Sequence, residues 1–188
     1  VQIYLLFCAV SAVSVPAIAE QHWQQDGYLT ESFIDIALKR EYRGDKKNRL
    51  QRWQKPLKIY MHSEMGDLDL QLQMFRGQAR HLQSITGSAL YFVSAQQQAN
   101  VHLIFTSLKR MEVNALKYAI ATANLQQVLS TAICMASIES NKESEIIRAV
   151  ILIPVDSTRQ RGRLVDCIVE ELTQVMGLAN DSTAVYPS

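Results

Sequence analysis

Apolar positions along this chain recur with two periods. Phe33, Ile34, Ala37 and Leu38 share one helical face behind Thr30, a residue suited to cap a helix start. After Pro56, Leu57 to Met61 alternates like a strand. Leu68, Leu72, Phe75, Ala79 and Leu82 then form a helical stripe that Gly87 should end. Leu90 to Val93 and Val101 to Phe105 read as short strands, and residues 108–130 as one helix with Met111, Leu116, Ile120 and Leu125 inward. Ile133 to Ile138 and Ile146 to Val155 read as two strands around a polar turn, and a last helix runs from near Gly162 to Gly177. Strands separated by helices, with an adjacent strand pair late in the chain, predict an α/β (α+β) fold: a mixed, mostly parallel sheet with packed helices.

The first nineteen residues stand apart. Ile3 to Val15 is an apolar run of thirteen, followed by Pro16 and Ala17-Ile18-Ala19, which reads as a secretory signal cut before Glu20. The run is too short for a transmembrane helix, which needs about 20 residues. The chain opens at Val1 with neither Met nor a basic n-region, as expected if its beginning is missing or its start is non-standard. The expectation is therefore a leader over 1–19 and one domain over 20–188, exported to the periplasm or secreted, with no membrane span in the mature chain. Removing 1–19 removes Cys8 and leaves Cys134 and Cys167, a candidate disulfide in an oxidising compartment; two separate buried thiols are the alternative.

Composition narrows the function. With 188 residues, 48% hydrophobic and 20% charged, the chain can bury one core and is not a disordered tract. A net charge of +1 gives no global case for nucleic acid, so charge arguments must be local. The local case lies at residues 39–55, where Lys39, Arg40, Arg43, Lys46, Lys47, Arg49, Arg52 and Lys55 surround Trp53. This segment is a candidate contact for an anionic surface, and a solvated loop is the plainer reading. His62 is close to Glu64, Asp67 and Asp69, but a polar turn explains that grouping better than a metal site. The sequence carries no P-loop, dinucleotide fingerprint, G-x-S-x-G elbow or local Cys–His dyad.

The last helix is the most informative segment. Residues 166–181 read DCIVEELTQVMGLAND. Val165, Ile168, Leu172 and Val175 should pack on the sheet, leaving Glu170 and Gln174 stacked on the opposite side and Glu171 about 100° round from Glu170. Gly177 can turn the chain and return Asn180 and Asp181 to the same end. In spacing, the segment resembles the metzincin pattern H-E-x-x-H-x-x-G-x-x-H. Glu170 falls at the first ligand position, Glu171 at the catalytic glutamate, Gln174 at the second ligand, Gly177 at the turn glycine and Asn180 at the third ligand. The run from FIDIAL through RLQRW and IPVD to CIVEELTQVMGLAND resembles a family of exported bacterial proteins of unknown function with zincin-like cores.

That resemblance implies a zincin catalytic-half architecture with Glu171 as candidate general base and Glu170, Gln174, Asn180 and Asp181 as candidate metal ligands. The residues depart from it where chemistry is decided. Neither motif histidine is present, and amide oxygens are weak donors to zinc, so zinc is not expected from these residues alone. An oxygen set would suit Ca²⁺, Mg²⁺ or Mn²⁺ better. Metzincin-like folds also continue past the motif to a methionine turn and a further helix, for which the seven residues after Asp181 leave no room; the expectation is a fragment or a fold that ends early. The leading expectation is a non-catalytic binding or envelope-associated module. A hydrolase using a non-zinc cation and an anionic-surface binder acting through 39–55 are the alternatives, and the protein or envelope partner is not named by the sequence.

Overall fold

The computed structural model describes residues 25–39, 49–120, 125–182 and 184–185. The expected leader, and Arg40, Arg43, Lys46 and Lys47 of the basic run, lie outside the described residues. Among those described, six α-helices pack with one five-stranded sheet. The elements are α1 (Asp26–Leu38), β1 (Leu57–Ser63), α2 (Leu68–Thr86), β2 (Leu90–Phe92), β3 (Val101–Thr106), α3 (Met111–Lys117), α4 (Leu125–Thr131), β4 (Met135–Ser140), β5 (Ile146–Pro154), α5 (Val155–Gln160) and α6 (Leu164–Val175). The strand order is β2-β1-β3-β5-β4. All neighbours are parallel except β4, which runs antiparallel to β5 at the edge. The mixed, mostly parallel sheet expected from the sequence is present.

Each strand's two faces are sorted by the period-two alternation of its side chains. Leu57, Ile59, Val101, Leu103, Phe105, Ala149, Ile151 and Ile153 point to one face and meet Phe75, Ala79 and Leu82 of α2 and Ile168, Leu172 and Val175 of α6. Ile104, Val150 and Leu152 point to the other face, under Met111 and Ala115 of α3 and Val128 of α4. β5 is covered on both faces, so it is a near-continuous apolar run rather than an alternating one.

Several boundaries differ from the periodicity. α1 begins at Asp26, and Thr30 lies inside it, donating from its hydroxyl to the Asp26 carbonyl at 2.8 Å instead of capping. The helix expected over 108–130 is broken. A 3₁₀ turn at Leu108–Arg110 precedes α3, and Ala119 takes a positive φ of 52° before Ile120 closes back by donating to the Ala115 carbonyl. Leu116 is accordingly 64% exposed instead of inward. Leu68 also lies outside the core, whereas Phe75, Ala79 and Leu82 of its stripe are buried. Gly87 ends α2 as expected, with φ 68° and its N–H returned to the Gln83 carbonyl.

One buried polar network spans the ends of β1 and β3. The Glu64 carboxylate accepts from Thr106 Oγ1 at 2.6 Å and Asn114 Nδ2 at 3.1 Å, and pairs with Arg110 at 3.0 Å. Burial alone would raise its pKa, but the Thr106 and Asn114 hydrogen bonds, with the charges of Arg110 and His62, hold it below the ordinary value of 4.5. A depressed carboxyl contributes stability above its unfolded pKa and loses it as pH falls through the folded one. Glu64→Gln is therefore expected to lower the urea midpoint at neutral pH by an amount equal to roughly 1–3 kcal/mol, the usual worth of a hydrogen bond to a buried charge. It should also flatten the loss of stability below about pH 4.5, measured as urea midpoint against pH.

Candidate functional site

Helix α6 and the start of β4 build a cleft. The buried stripe of α6 is Leu164, Cys167, Ile168, Glu171, Leu172 and Val175, spaced at i, i+3, i+4, i+7, i+8 and i+11. Ile168, Leu172 and Val175 of the expected stripe are buried, but Val165 is 56% exposed and the stripe widens instead over Leu164, Cys167 and Glu171. Glu171 consequently falls within the apolar stripe and is only 2% exposed, while Glu170 and Gln174 are half-buried. A carboxylate buried along an apolar stripe is expensive to keep there unless partners meet it, which makes it a functional candidate.

Glu170, Glu171 and Gln174 line a cleft of about 210 Å³ together with Arg163 and the segment from Thr131 to Ala136. The even-numbered residues Cys134 and Ala136 face α6 because they share the sheet face that packs against it. Cys134 is bonded to Cys167, with their Cα atoms 5.9 Å apart. The bond ties the entrance of β4 to the second turn of α6, so both cleft walls are fixed to one another. β4 pairs only with β5, and among the described residues its outer edge carries no strand.

Asn180 and Asp181 do not share a destination. Gly177 has φ 114°, and its backbone lies so close to Gln51 that a Cβ there would sit 2.4 Å from the Gln51 carbonyl oxygen. Past this turn Asp181 returns to α6, where its Oδ1 accepts from Gln174 Nε2 at 3.0 Å. Asn180 instead ties the end of α1. Its backbone N–H donates to the Ile36 carbonyl at 3.2 Å and its Nδ2 to the Asp35 carbonyl at 3.1 Å. Trp53 of the basic segment also belongs to this framework, since its indole N–H donates to the Val175 carbonyl at 2.7 Å. It is an anchor for residues 49–55.

The arrangement does not fit zinc. The carboxylates of Glu170 and Asp181 and the amide of Gln174 offer only oxygen, and Asn180 is turned to α1, a poor donor set beside the imidazoles and thiolates zinc prefers. Among the described residues, no three or more His, Cys, Asp or Glu side chains come close enough to hold a metal ion. Two of the three acids near His62 have partners of their own, Glu64 with Thr106, Asn114 and Arg110, and Asp67 with Arg159 at 2.8 Å. Arg163 and the Thr131–Ala136 wall were not legible as site residues, since only the β4–α6 packing brings them to the cleft.

A parallel-sheet α/β fold with an antiparallel edge strand beside a buried-glutamate helix is the class these observations define. Within it, the chain belongs to a family described as protein of unknown function (DUF2927), whose model matches residues 26–188. No curated protein and no solved structure matches the chain.

Proposed function

We propose that this protein is an exported, zincin-like binding module that holds an extended polypeptide or envelope component in the β4–α6 cleft without hydrolysing it. The observation that carries this reading is the use made of the motif positions. Where a metallopeptidase of this spacing needs three metal donors, Gln174 is hydrogen-bonded to Asp181 and Asn180 stitches the segment after α6 to α1. The motif residues are built into the scaffold, and without a metal Glu171 would have nothing to polarise a scissile carbonyl.

The cleft still suits binding. The β4 edge, which carries no further strand among the described residues, offers main-chain donors and acceptors to an extended segment, and the cleft beside it adds Arg163, Glu170 and Glu171 for selectivity. Export accords with the leader-like run at 1–19 and with a disulfide, which persists in oxidising compartments. The test is metal content of the oxidised protein, purified without chelator. Sub-stoichiometric zinc, manganese and calcium are expected, and about one zinc per chain that survives dialysis would refute the reading.

A further inference from the structure

The two faces of the sheet are covered unequally. On one, α2 and α6 run for 19 and 12 residues, whereas α3 and α4 on the other have seven each. Isolated helices shorter than about 12 residues are marginal in water, so α3 and α4 depend on the face they bury. That face is narrow. Met111, Ala115 and Val128, with Tyr118 and Ile120 just past α3, close over Ile104, Val150 and Leu152, while Val113 and Leu116 face solvent. Parts of a fold held by few buried apolar side chains are the first to open.

His102 of β3 is covered by the end of this layer. It is 8% exposed, and its ring lies 5.7 Å from that of Tyr118. Tyr118 also fastens the layer, since its carbonyl accepts from Arg148 of β5 at 2.7 Å. The surrounding groups bring little negative charge to the ring. β1 presents Lys58, Tyr60 and His62 on this face, opposite Leu57 and Ile59, and Lys117 Nζ lies 5.3 Å from the centre of the Tyr118 ring. Glu139 of β4 stands 3.9 Å from Arg148 but is 62% exposed, so solvent screens it. Glu64 is paired with Arg110, Glu112 of α3 accepts from Gln126, and α4 carries no charged residue. Burial, and after it the Arg148 charge, hold the His102 pKa below the ordinary 6.5.

A proton on His102 sets a second cation beside Arg148 in a place largely closed to water. The charge is relieved when Tyr118 lifts and water reaches the ring. Once uncovered, the ring takes up its proton at about 6.5, and while covered only at lower pH. The covered form is therefore favoured above 6.5 and loses ground as pH falls below it. The movement reaches the β4–α6 cleft, because Thr131 ends α4 and lines that cleft with Ala132 and Ile133. Cys134 stays bonded to Cys167, so the residues before it are the ones set free.

We infer that His102 is an acid-sensitive latch, whose protonation releases the α3–α4 layer from the sheet and loosens the Thr131–Ile133 wall of the β4–α6 cleft. The acid response stands apart from the reading of that cleft as a binding site; only its use in releasing a bound segment rests on that reading. The test is amide hydrogen exchange of the oxidised full chain at about pH 7.5 and about pH 5, corrected for the intrinsic pH dependence of exchange. Both lie above the 4.5 below which the Glu64 carboxyl is held. Exchange in α3, α4 and Thr131–Ile133 should be faster in acid, by a factor that reaches about 30 if the covered ring takes up no proton, while the amides of α2 keep their rates. His102→Gln should remove the difference, and His62→Gln should keep it. Proton NMR of the wild-type His102 ring gives a check that needs no variant: its midpoint should lie below 6.5 and coincide with the loosening. Exchange unchanged between the two pH values, a rise of equal size in α2, or a response that survives His102→Gln would overturn the inference. So would a His102 ring that titrates at 6.5 or above with α3 still protected.

Discussion

Gly177→Ala is expected to destabilise the protein by roughly 3 kcal/mol, the sum of left-handed backbone strain and overpacking against a rigid neighbour. The residue has φ 114°, and an added Cβ would lie 2.4 Å from the Gln51 carbonyl oxygen, with the Ile146 side chain next at 3.6 Å. Neither backbone can yield easily. Gln51 precedes Arg52, whose N–H donates to Ser144 and whose carbonyl accepts from Ile146, and Trp53 is fastened to the Val175 carbonyl. In a chain of this size the change should lower Tm by roughly 10 °C. Gly87→Ala serves as the comparison, because Gly87 shares a positive φ but has open space around it. It should cost about 1 kcal/mol, from backbone strain alone. Equal losses at the two glycines in thermal or urea unfolding would show that Gln51 does not press on Gly177.

Removing the Cys134–Cys167 bond should have an effect of similar size by a different route. The cysteines are 33 positions apart, and closing a loop of that length restricts the unfolded chain by about 3–4 kcal/mol. The double variant Cys134→Ala, Cys167→Ala should therefore lose roughly 10 °C in Tm. Reductant should bring the wild-type protein to nearly the same transition and leave the variant unmoved. The bond also pins β4 to α6, so the amides of Thr131 to Ala136 should exchange hydrogen faster in the variant. Identical transitions with and without reductant would mean that the two sulfurs are not joined in the folded protein.

Much of the architecture was legible because burial follows period. The α2 stripe, the alternation in β1 and the unbroken apolar run of β5 each announce their element and the face it hides. The long helix over 108–130 was misread because Met111 and Ala115 continue the helical spacing, whereas the break depends on Ala119 adopting a positive φ that alanine does not advertise. α5 was missed because six residues are too few to display a period. In α6 the periodicity finds Ile168, Leu172 and Val175 but counts Val165 and passes over Leu164 and Cys167. Corrected for that, the sequence places Glu171 among apolar neighbours at i−4, i−3, i+1 and i+4, so its burial could have been read directly. The separate destinations of Asn180 and Asp181 could not, since they depend on where α1 docks.

The reading of the β4–α6 cleft as a site that binds without cutting is tested most directly by one incubation. A diverse peptide library is mixed with the oxidised protein in the presence of zinc, manganese and calcium, and mass spectrometry records both retained and cleaved species. Retained peptides recovered intact, with no product that differs between the wild type and Glu171→Gln, are the expected result. Cleavage products that form with the wild type and disappear with Glu171→Gln would contradict it and make Glu171 a working general base.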